Sequence, residues 1–232
     1  MLLTLNCIVA DEPRTGFTKK VMPRLMTQWN GEGGGHATVD LLGDAALPDH
    51  AAFTHLLLSG SELSAAERNP RDDELMTCIR GFADAGKPIY GICYGHQMVA
   101  RALAGDAVCR RAAVPEFGWR TCRQVDNPLF DGVPKIIAIH SHYDEVHDLP
   151  DSFQVIASTD DCAVQGFQVQ GRPIWGTQFH PEMSHKGGTS MMQGNLRTEP
   201  LAPAHYVDEL DDPARVDDNL RLFANFFATP PR

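Results

Sequence analysis

Short apolar runs alternate with amphipathic stretches through the first half of the chain. The runs predict buried strands at 2–10, 37–42, 55–58 and 88–92. Apolar residues at helical spacing predict helices over 21–29 and 75–83, and another helix after residue 93. Asp72 and Asp73 are expected to cap the second of these helices. Because strands that alternate with helices in short units pair in parallel, we predict a three-layer α/β sandwich with a mostly parallel central sheet.

The second half of the chain is richer in strands. Apolar segments predict strands at 135–139, 153–157, 163–169 and 173–179. The short spacing between the last two favours antiparallel pairing, which would make the sheet mixed. Residues 184–212 show no clear period and are predicted to be irregular. A final helix carries one apolar face, formed by Val216, Leu220, Phe223 and Phe227. We expect a single domain over residues 1–232.

The composition is that of a globular chain, and it narrows the range of partners. Of 232 residues, 43% are hydrophobic, and 20 basic against 30 acidic residues give a formal charge of −10. The basic residues are scattered, which argues against nucleic acid or an anionic membrane as a partner. No apolar run reaches the roughly 20 residues that span a bilayer, and residues 1–10 lack the features of a signal peptide. The six cysteines show no CxxC spacing, so we expect buried thiols in a reducing cytoplasm.

One cysteine lies between a predicted strand and a predicted helix. Residues 87–105 read KPIYGICYGHQMVARALAG, with Gly-x-Cys-x-Gly at the junction. This is the cysteine version of the nucleophile elbow, in which the glycines allow a sharp turn. Cys93 would lie at the carboxyl edge of the sheet and at a helix N-terminus, where unpaired amides favour a thiolate. The N–H of Tyr94 would face an oxyanion, and residues 59–61 are expected to supply a second donor.

A thiol nucleophile needs a base, and residues 174–182, IWGTQFHPE, offer one. The predicted strand ends at His180, and Glu182 follows two residues later. Residues two apart on an extended chain share a face, so Glu182 can bind one ring nitrogen of His180 and leave the other toward Cys93. The three residues therefore predict a nucleophile, a base and an orienting carboxylate.

The motifs that carry these residues resemble those of the class I, triad-type glutamine amidotransferases. The matching segments are GICYGHQ at 91–97, TQFHPE at 177–182, the S-H-x-D-x-V pattern at 141–146 and EFGW at 116–119. The resemblance extends over residues 50–185 and the final helix. Within the family, the chain is most similar to stand-alone, GMP-synthase-like amidotransferases. The resemblance implies a flavodoxin-like fold.

The resemblance also implies a reaction. A γ-glutamyl thioester would form on Cys93, ammonia would leave, and water would complete the hydrolysis. His180 would act as acid and base, and Glu182 would orient it. The backbone N–H groups of Gly60 and Tyr94 would bind the oxyanion.

For substrate binding, the resemblance points to three further residues. Gln97 matches a position that contacts the glutamine substrate, and the backbone around His142 and Tyr143 would hold its α-amino and carboxylate groups. The resemblance implies no cofactor. The link between H-P-E and the final helix is longer than usual, and no acceptor domain follows it in this sequence, so a separate synthetase is a possible partner.

Two other groups of residues resemble a metal site and a phosphate-binding loop, but neither has the residue spacing that such a site requires. Four residues form a potential metal cluster: His140, His142, Asp144 and His147. Nearby histidines without a matched distant pair are weak evidence for a metal, and the S-H-x-D-x-V pattern already accounts for two of the four, so no metal is predicted. The glycine-rich stretch at 31–35 lacks the spacing of a phosphate-binding loop and is predicted to be a flexible loop.

The residues leave other functions open beside glutamine hydrolysis. The same thioester chemistry would serve a γ-glutamyl peptidase or a γ-glutamyl-amine hydrolase, because only the leaving-group pocket differs. A regulatory protein that is inactive without its partner would carry the same residues. An acyltransferase on this scaffold is a further alternative.

Overall fold

The computed structural model describes residues 1–29, 34–43 and 46–232. Its strands are β1 (Leu2–Asn6), β2 (His36–Asp40), β3 (His55–Leu58), β4 (Ile89–Ile92), β5 (Cys109–Thr121), β6 (Arg123–Gln124), β7 (Ile137–Val146), β8 (Phe153–Ser158), β9 (Gly166–Val169), β10 (Ile174–Thr177) and β11 (Tyr206–Asp208). Its α-helices are α1 (Asp11–Gly16), α2 (Met22–Met26), α3 (Asp72–Asp84), α4 (Tyr94–Ala104), α5 (His185–Thr198), α6 (Ala202–His205) and α7 (Leu220–Ala228). None of the helices in these ranges is both long and apolar enough to cross a membrane.

Eight strands of the described residues form the central sheet, in the order β2-β1-β3-β4-β10-β9-β8-β6. The first five in this order run parallel to one another. The remaining three add to the sheet with antiparallel pairing. The predicted α/β fold with a mostly parallel sheet is therefore confirmed, and β9 and β10 are antiparallel as their spacing indicated.

Strand β3 illustrates why this sheet needs a helical layer on each face. Leu56 and Leu58 pack in one buried cluster with α3 and α4, whereas Leu57 packs in another with α2 and α7. Successive side chains of a strand point to opposite faces, and burying one leucine contributes about 1.5–3 kcal/mol. A continuous apolar strand is thus stable only between two helical layers.

A smaller sheet, in the order β11-β5-β7, lies outside the central one. The strand predicted at 135–139 is in fact β7, which is longer than expected and pairs with β5. Sequence analysis did not predict β5, because its exposed polar residues and the register shift between Arg111 and Glu116 interrupt the apolar pattern.

The segment 184–212 is not irregular, contrary to prediction: it forms α5, α6 and β11. The Ser184 hydroxyl accepts a hydrogen bond from the Gly187 N–H and caps α5. Glycines in α5 weaken its local helical signal. A Cβ on Gly188 would lie 2.8 Å from the Trp119 ring, so the helix packs closely on the smaller sheet. This tertiary contact, which local sequence does not reveal, stabilises the segment.

The start of α3 also differs from the prediction. Arg71, with φ of 69°, is the N-cap residue, and neither Asp72 nor Asp73 caps the helix. Asp72 is buried instead, where its carboxylate accepts a hydrogen bond from the Tyr94 hydroxyl at 3.0 Å and pairs with Arg101 at 3.0 Å. Acidic side chains in the first turn still favour the helix, because they interact favourably with the positive end of its macrodipole.

The N-terminal helix prediction is correct only in part. Helical structure begins earlier than predicted, at Asp11, and continues through a π-helical turn into α2. Pro23 lies directly after the π-helical turn, at the start of α2, where it cannot donate an N–H to the preceding turn. Of the glycine-rich stretch at 31–35, residues 31–33 lie outside the described residues.

Candidate active site

Cys93 lies where β4 ends and α4 begins, at the carboxyl edge of the parallel strands. Its backbone has φ of 51° and ψ of −106°, a conformation that non-glycine residues rarely adopt. Its N–H donates to the Thr177 carbonyl at 2.8 Å. A Cβ on Gly95 would lie 2.6 Å from the Leu58 Cβ, so the close approach of α4 to β3 requires glycine there. These contacts hold the cysteine on the sharp turn that the motif suggested.

The strained backbone of Cys93 predicts an unusual order of stabilities. Cys93→Gly is expected to be about 1 kcal/mol more stable than Cys93→Ala, since glycine adopts a positive φ without a Cβ penalty. Urea unfolding of the two variants measures the difference. At Ala224, inside α7, the matched change Ala224→Gly is expected to destabilise by about 0.5–1 kcal/mol. If glycine is equally unfavourable at both positions, residue 93 stores no strain.

His180 and Glu182 follow β10 at the same edge of the sheet. The backbone N–H of His180 donates to the Ile139 carbonyl of β7 at 2.9 Å, in an isolated antiparallel bridge. The Nδ1 of His180 lies 2.7 Å from the Glu182 Oε1, and both residues are buried. A Cβ on Gly60 would lie 2.9 Å from the His180 Cε1 and 3.5 Å from the Cys93 Cβ. The imidazole and the cysteine thus border the same glycine, and the structure brings the three sequence-predicted residues together.

The protonation of His180 is controlled by its two neighbours. Desolvation by burial lowers the pKa of His180, but the charges of Glu182 and Cys93 and their side-chain hydrogen bonds outweigh it. The pKa of His180 is therefore raised well above its ordinary value of 6.5. An imidazolium flanked by a carboxylate and a sulfur is the charge arrangement of an activated thiol nucleophile.

This raised pKa makes stability depend on pH in a defined direction. Folded His180 keeps its proton at pH values where the unfolded residue has lost it, so its contribution is complete below pH 6.5 and is lost as pH rises through the folded pKa. The free energy of unfolding of the unmodified chain should therefore exceed that of Glu182→Gln most below pH 6.5, and the difference should shrink at higher pH. Urea unfolding from about pH 5.5 to 9 measures it; a difference that grows with pH would contradict the assignment.

Gly60 and Tyr94 each present a backbone N–H at this edge. Gly60 follows β3 and Tyr94 begins α4, and the parallel pairing of β3 with β4 brings the two together. Among the described residues, neither N–H donates to a protein acceptor. The Tyr94 side chain is anchored by the buried Asp72–Arg101 pair, which fixes the start of α4. Two unpaired, fixed donors are the components of an oxyanion hole.

Gln97 is buried beside a glutamine that sequence analysis did not single out. The Gln97 Nε2 donates to the Asp144 carbonyl at 3.1 Å and to the Gln178 Oε1 at 2.9 Å. The Gln178 Nε2 in turn donates to the Cys93 Sγ at 3.5 Å. The position of Gln178 two residues before His180 was the sequence signal that could have identified it, because residues at that spacing share a strand face.

The side chains of His142 and Tyr143 are held by protein partners. His142 lies 2.9 Å from Glu116 through Nε2, and the Tyr143 hydroxyl donates to Glu199 at 2.9 Å. The adjacent Ser141 carbonyl lies 4.0 Å from the cysteine sulfur. A backbone carbonyl of β7 therefore borders the candidate nucleophile, while the two side chains are bound to Glu116 and Glu199.

The four residues considered as a metal cluster do not converge. The Asp144 carboxylate accepts hydrogen bonds from Ser64 and Arg111. His147 instead pairs with the exposed Asp148. Only the imidazoles of His140 and His142 face a shared buried partner.

Those two histidines meet Glu116, and the three offer ligand atoms within 4.8 Å of one another. Burial opposes ionisation of Glu116, but His140 and His142 hold the pKa of this carboxyl well below its usual range. Its carboxylate also accepts hydrogen bonds from Arg120, Thr159 and Gln165. A carboxylate with this many donors is satisfied by a polar network alone. The absence of a metal stays a prediction.

Comparison with known proteins identifies the family. Residues 48–197, more than half of the chain, match the model of the family described as glutamine amidotransferase class-I. The chain belongs to this family. The α/β fold with its mostly parallel central sheet agrees with this assignment, because solved structures of glutamine amidotransferases share it.

Two relatives of this amidotransferase are glutamine-hydrolyzing GMP synthase proteins. The chain is 37% identical over 118 residues to a GMP synthase component from Methanocaldococcus jannaschii, covering 50% of this chain and 62% of that protein. It is 39% identical over 116 residues to the GMP synthase of Clostridium novyi, covering 49% of this chain and 22% of that protein. The matched region thus spans less than two thirds of these relatives. A crystal structure of a glutamine amidotransferase from Methylobacillus flagellatus shares the fold, with a TM-score of 0.74, 16% identity and coverage of 98% and 92% of the two chains.

Proposed function

We propose that this class I amidotransferase hydrolyses the side-chain amide of glutamine through a γ-glutamyl thioester on Cys93. The observation that carries the proposal is the meeting of the strained cysteine turn with the His180–Glu182 pair around Gly60. The Cys93 thiol first gives its proton to His180, which forms a thiolate beside an imidazolium, and the sulfur then attacks the amide carbon. The imidazolium then protonates the departing nitrogen, and ammonia leaves. Water, deprotonated by His180, attacks the thioester and releases glutamate.

The surrounding groups support each charge in this reaction. The oxyanion would accept hydrogen bonds from the unpaired N–H groups of Gly60 and Tyr94. Both N–H groups of the Gln97 amide are already used, so its Oε1 is the atom that would contact the substrate. Backbone groups near His142 and Tyr143 would hold the α-amino and carboxylate groups. No cofactor has a part in these steps.

The relatives named GMP synthase support an ammonia-supplying role with a separate synthetase as partner. The test is to incubate the purified chain with glutamine and to measure ammonia and glutamate. The assay is run with and without an added synthetase that uses free ammonia and does not itself hydrolyse glutamine. Release of both products in equal amounts supports the proposal. The proposal is wrong if an electrophilic glutamine analogue does not label Cys93 and glutamine is not hydrolysed either with or without the synthetase.

A γ-glutamyl peptidase or γ-glutamyl-amine hydrolase is the second candidate, and one observation favours it. Helix α5 contacts a residue that lies beside the nucleophile: the Asn195 side chain donates to the Ser141 hydroxyl at 2.7 Å, and the carbonyl of the same serine lies 4.0 Å from the Cys93 sulfur. The 184–212 segment thus reaches the neighbourhood of the site through Asn195, and we infer that it would contact a larger leaving group. Glutathione and γ-glutamyl amines, assayed beside glutamine, separate the two candidates by which substrate has the higher kcat/KM.

A reducing compartment, the cytoplasm, fits the chemistry proposed. All six cysteines are free thiols in the structure, and a thioester mechanism requires the reduced form of Cys93.

A further inference from the structure

The sulfur of Cys93 has an amide donor that the mechanism above does not use. The Gln178 Nε2 lies 3.5 Å from Sγ, and the Gln178 side chain is buried. We propose that Gln178 is a further catalytic residue, whose amide N–H stabilises the thiolate form of the nucleophile, and that Gln97 is the positioning residue that orients this amide. The proposal deepens the proposed function and rests on it for its catalytic meaning.

The hydrogen-bond network itself determines which end of each amide faces the sulfur. The Asp144 carbonyl can only accept, so the Gln97 atom 3.1 Å away must be the nitrogen. The same nitrogen faces Gln178 at 2.9 Å, so the Gln178 atom there must be the oxygen. The Gln178 nitrogen is left facing Cys93. Reversing the Gln178 amide would place two N–H groups against each other and the amide oxygen against the sulfur, which the network does not permit.

Besides His180, the sulfur has one fixed donor, the Gln178 amide, and one fixed acceptor, the Ser141 carbonyl, as neighbours. The Ser141 carbonyl, 4.0 Å from Sγ, accepts from the neutral thiol and repels the thiolate. The Gln178 N–H binds the thiolate more strongly than the thiol, because a charged acceptor strengthens the hydrogen bond. Gln178 thus offsets the carbonyl, and it transfers no proton itself: the thiol proton goes to His180.

Loss of the Gln178 donor should change reactivity in opposite directions at low and high pH. A hydrogen bond to a charged group is worth roughly a tenfold change in equilibrium, so the midpoint of thiolate formation should rise by about one pH unit. A less stabilised thiolate is also about threefold more nucleophilic, given a Brønsted coefficient of about 0.4–0.5. The variant should therefore react about threefold more slowly below the midpoint and about threefold faster on the alkaline plateau.

The experiment follows the reaction of Cys93 with 2-hydroxyethyl disulfide from about pH 5 to 10, with the modified peptide quantified by mass spectrometry. Gln178→Met removes the donor and keeps a similar volume. Gln97→Met leaves the Gln178 amide unanchored and should give the same change with smaller amplitude. Gln168→Met, on the neighbouring strand β9, changes an amide that binds Asn127 and Arg172 and should leave the profile unaltered.

Crossing profiles for Gln178→Met, with the smaller effect in Gln97→Met, support the proposal. Superimposable profiles for the folded Gln178→Met variant and the unmodified chain overturn it. If circular dichroism shows that Gln178→Met does not fold, Gln97→Met decides: an unchanged profile there overturns the proposal. The assay uses no glutamine, so it tests the role of Gln178 independently of the proposed amide hydrolysis. Normal glutaminase activity with superimposable profiles contradicts only the role of Gln178, whereas crossing profiles without hydrolysis of any γ-glutamyl amide contradict only the proposed function.

Discussion

Replacing Cys93 with alanine is expected to abolish amide hydrolysis, with a loss of about 10⁴-fold or more in kcat, while the fold stays intact. Only the sulfur at this turn can form the thioester, and removal of a nucleophile leaves just the contribution of the oxyanion hole and binding. The measurement is ammonia release from the substrate that the unmodified chain prefers, together with circular dichroism and urea unfolding.

Another cysteine provides the matched control. Cys78, on α3, is partly buried, and burial raises the pKa of its thiol to about 11. Cys78→Ala should keep full activity, because a thiol that stays protonated at neutral pH is a poor nucleophile. An electrophilic glutamine analogue should label the Cys78→Ala protein and not the Cys93→Ala protein. Retention of activity by a folded Cys93→Ala variant on any γ-glutamyl substrate would falsify the thioester mechanism.

Replacing His180 with alanine should reduce kcat by about 10⁴-fold or more, since the proposed mechanism assigns the thiol proton and its return to the leaving nitrogen to this base. Glu182→Gln should reduce kcat less. Its fold-loss should be about ten to a hundred times smaller than that of His180→Ala, because the imidazole remains and loses only its orienting carboxylate. Steady-state kinetics from about pH 6 to 9 compare the two variants. If Glu182→Gln is as inactive as His180→Ala at every pH, the carboxylate does more than orient the ring.

The distance of 2.7 Å between the His180 Nδ1 and the Glu182 Oε1 is the reason for this order of effects. A neutral amide at residue 182 can still accept a hydrogen bond from the Nδ1–H, but it no longer favours the imidazolium by charge. The control His50→Ala changes a partly exposed imidazole that lies beside Asp49 at the surface, and it should leave the kinetics unchanged. Loss of activity in that control would indicate a general effect of removing histidines and not a specific base.

Much of the candidate site could be predicted from local sequence. The glycines around Cys93 specify a sharp turn because they lack a Cβ, and alternation on an extended chain places His180 and Glu182 on one face. The apolar run of β3 required helices on both faces of the sheet, since its successive side chains point in opposite directions. Each of these features depends on residues that are close together in sequence, so it can be predicted without the tertiary structure.

Gln178 shows where local reasoning ended. Its amide faces Cys93, 85 residues away in sequence, only because parallel pairing sets β10 beside β4. Likewise, α5 has a glycine-rich sequence that predicts no helix, and it forms because Gly188 packs against Trp119. The spacing to His180 places Gln178 on the same strand face, but no local pattern gives its contact with Cys93 or the contact of Gly188 with Trp119.

The sequence by itself determined the α/β class, the cysteine turn and the pairing of an imidazole with a carboxylate two residues on, because each depends on backbone sterics and the period of a strand or helix. Only the tertiary structure decided how these pieces surround Gly60, which amide faces the sulfur, and that Glu116 gathers His140 and His142 in a buried polar network. Those outcomes depend on strand order and register, which are set by packing across the whole sheet and not by any short segment.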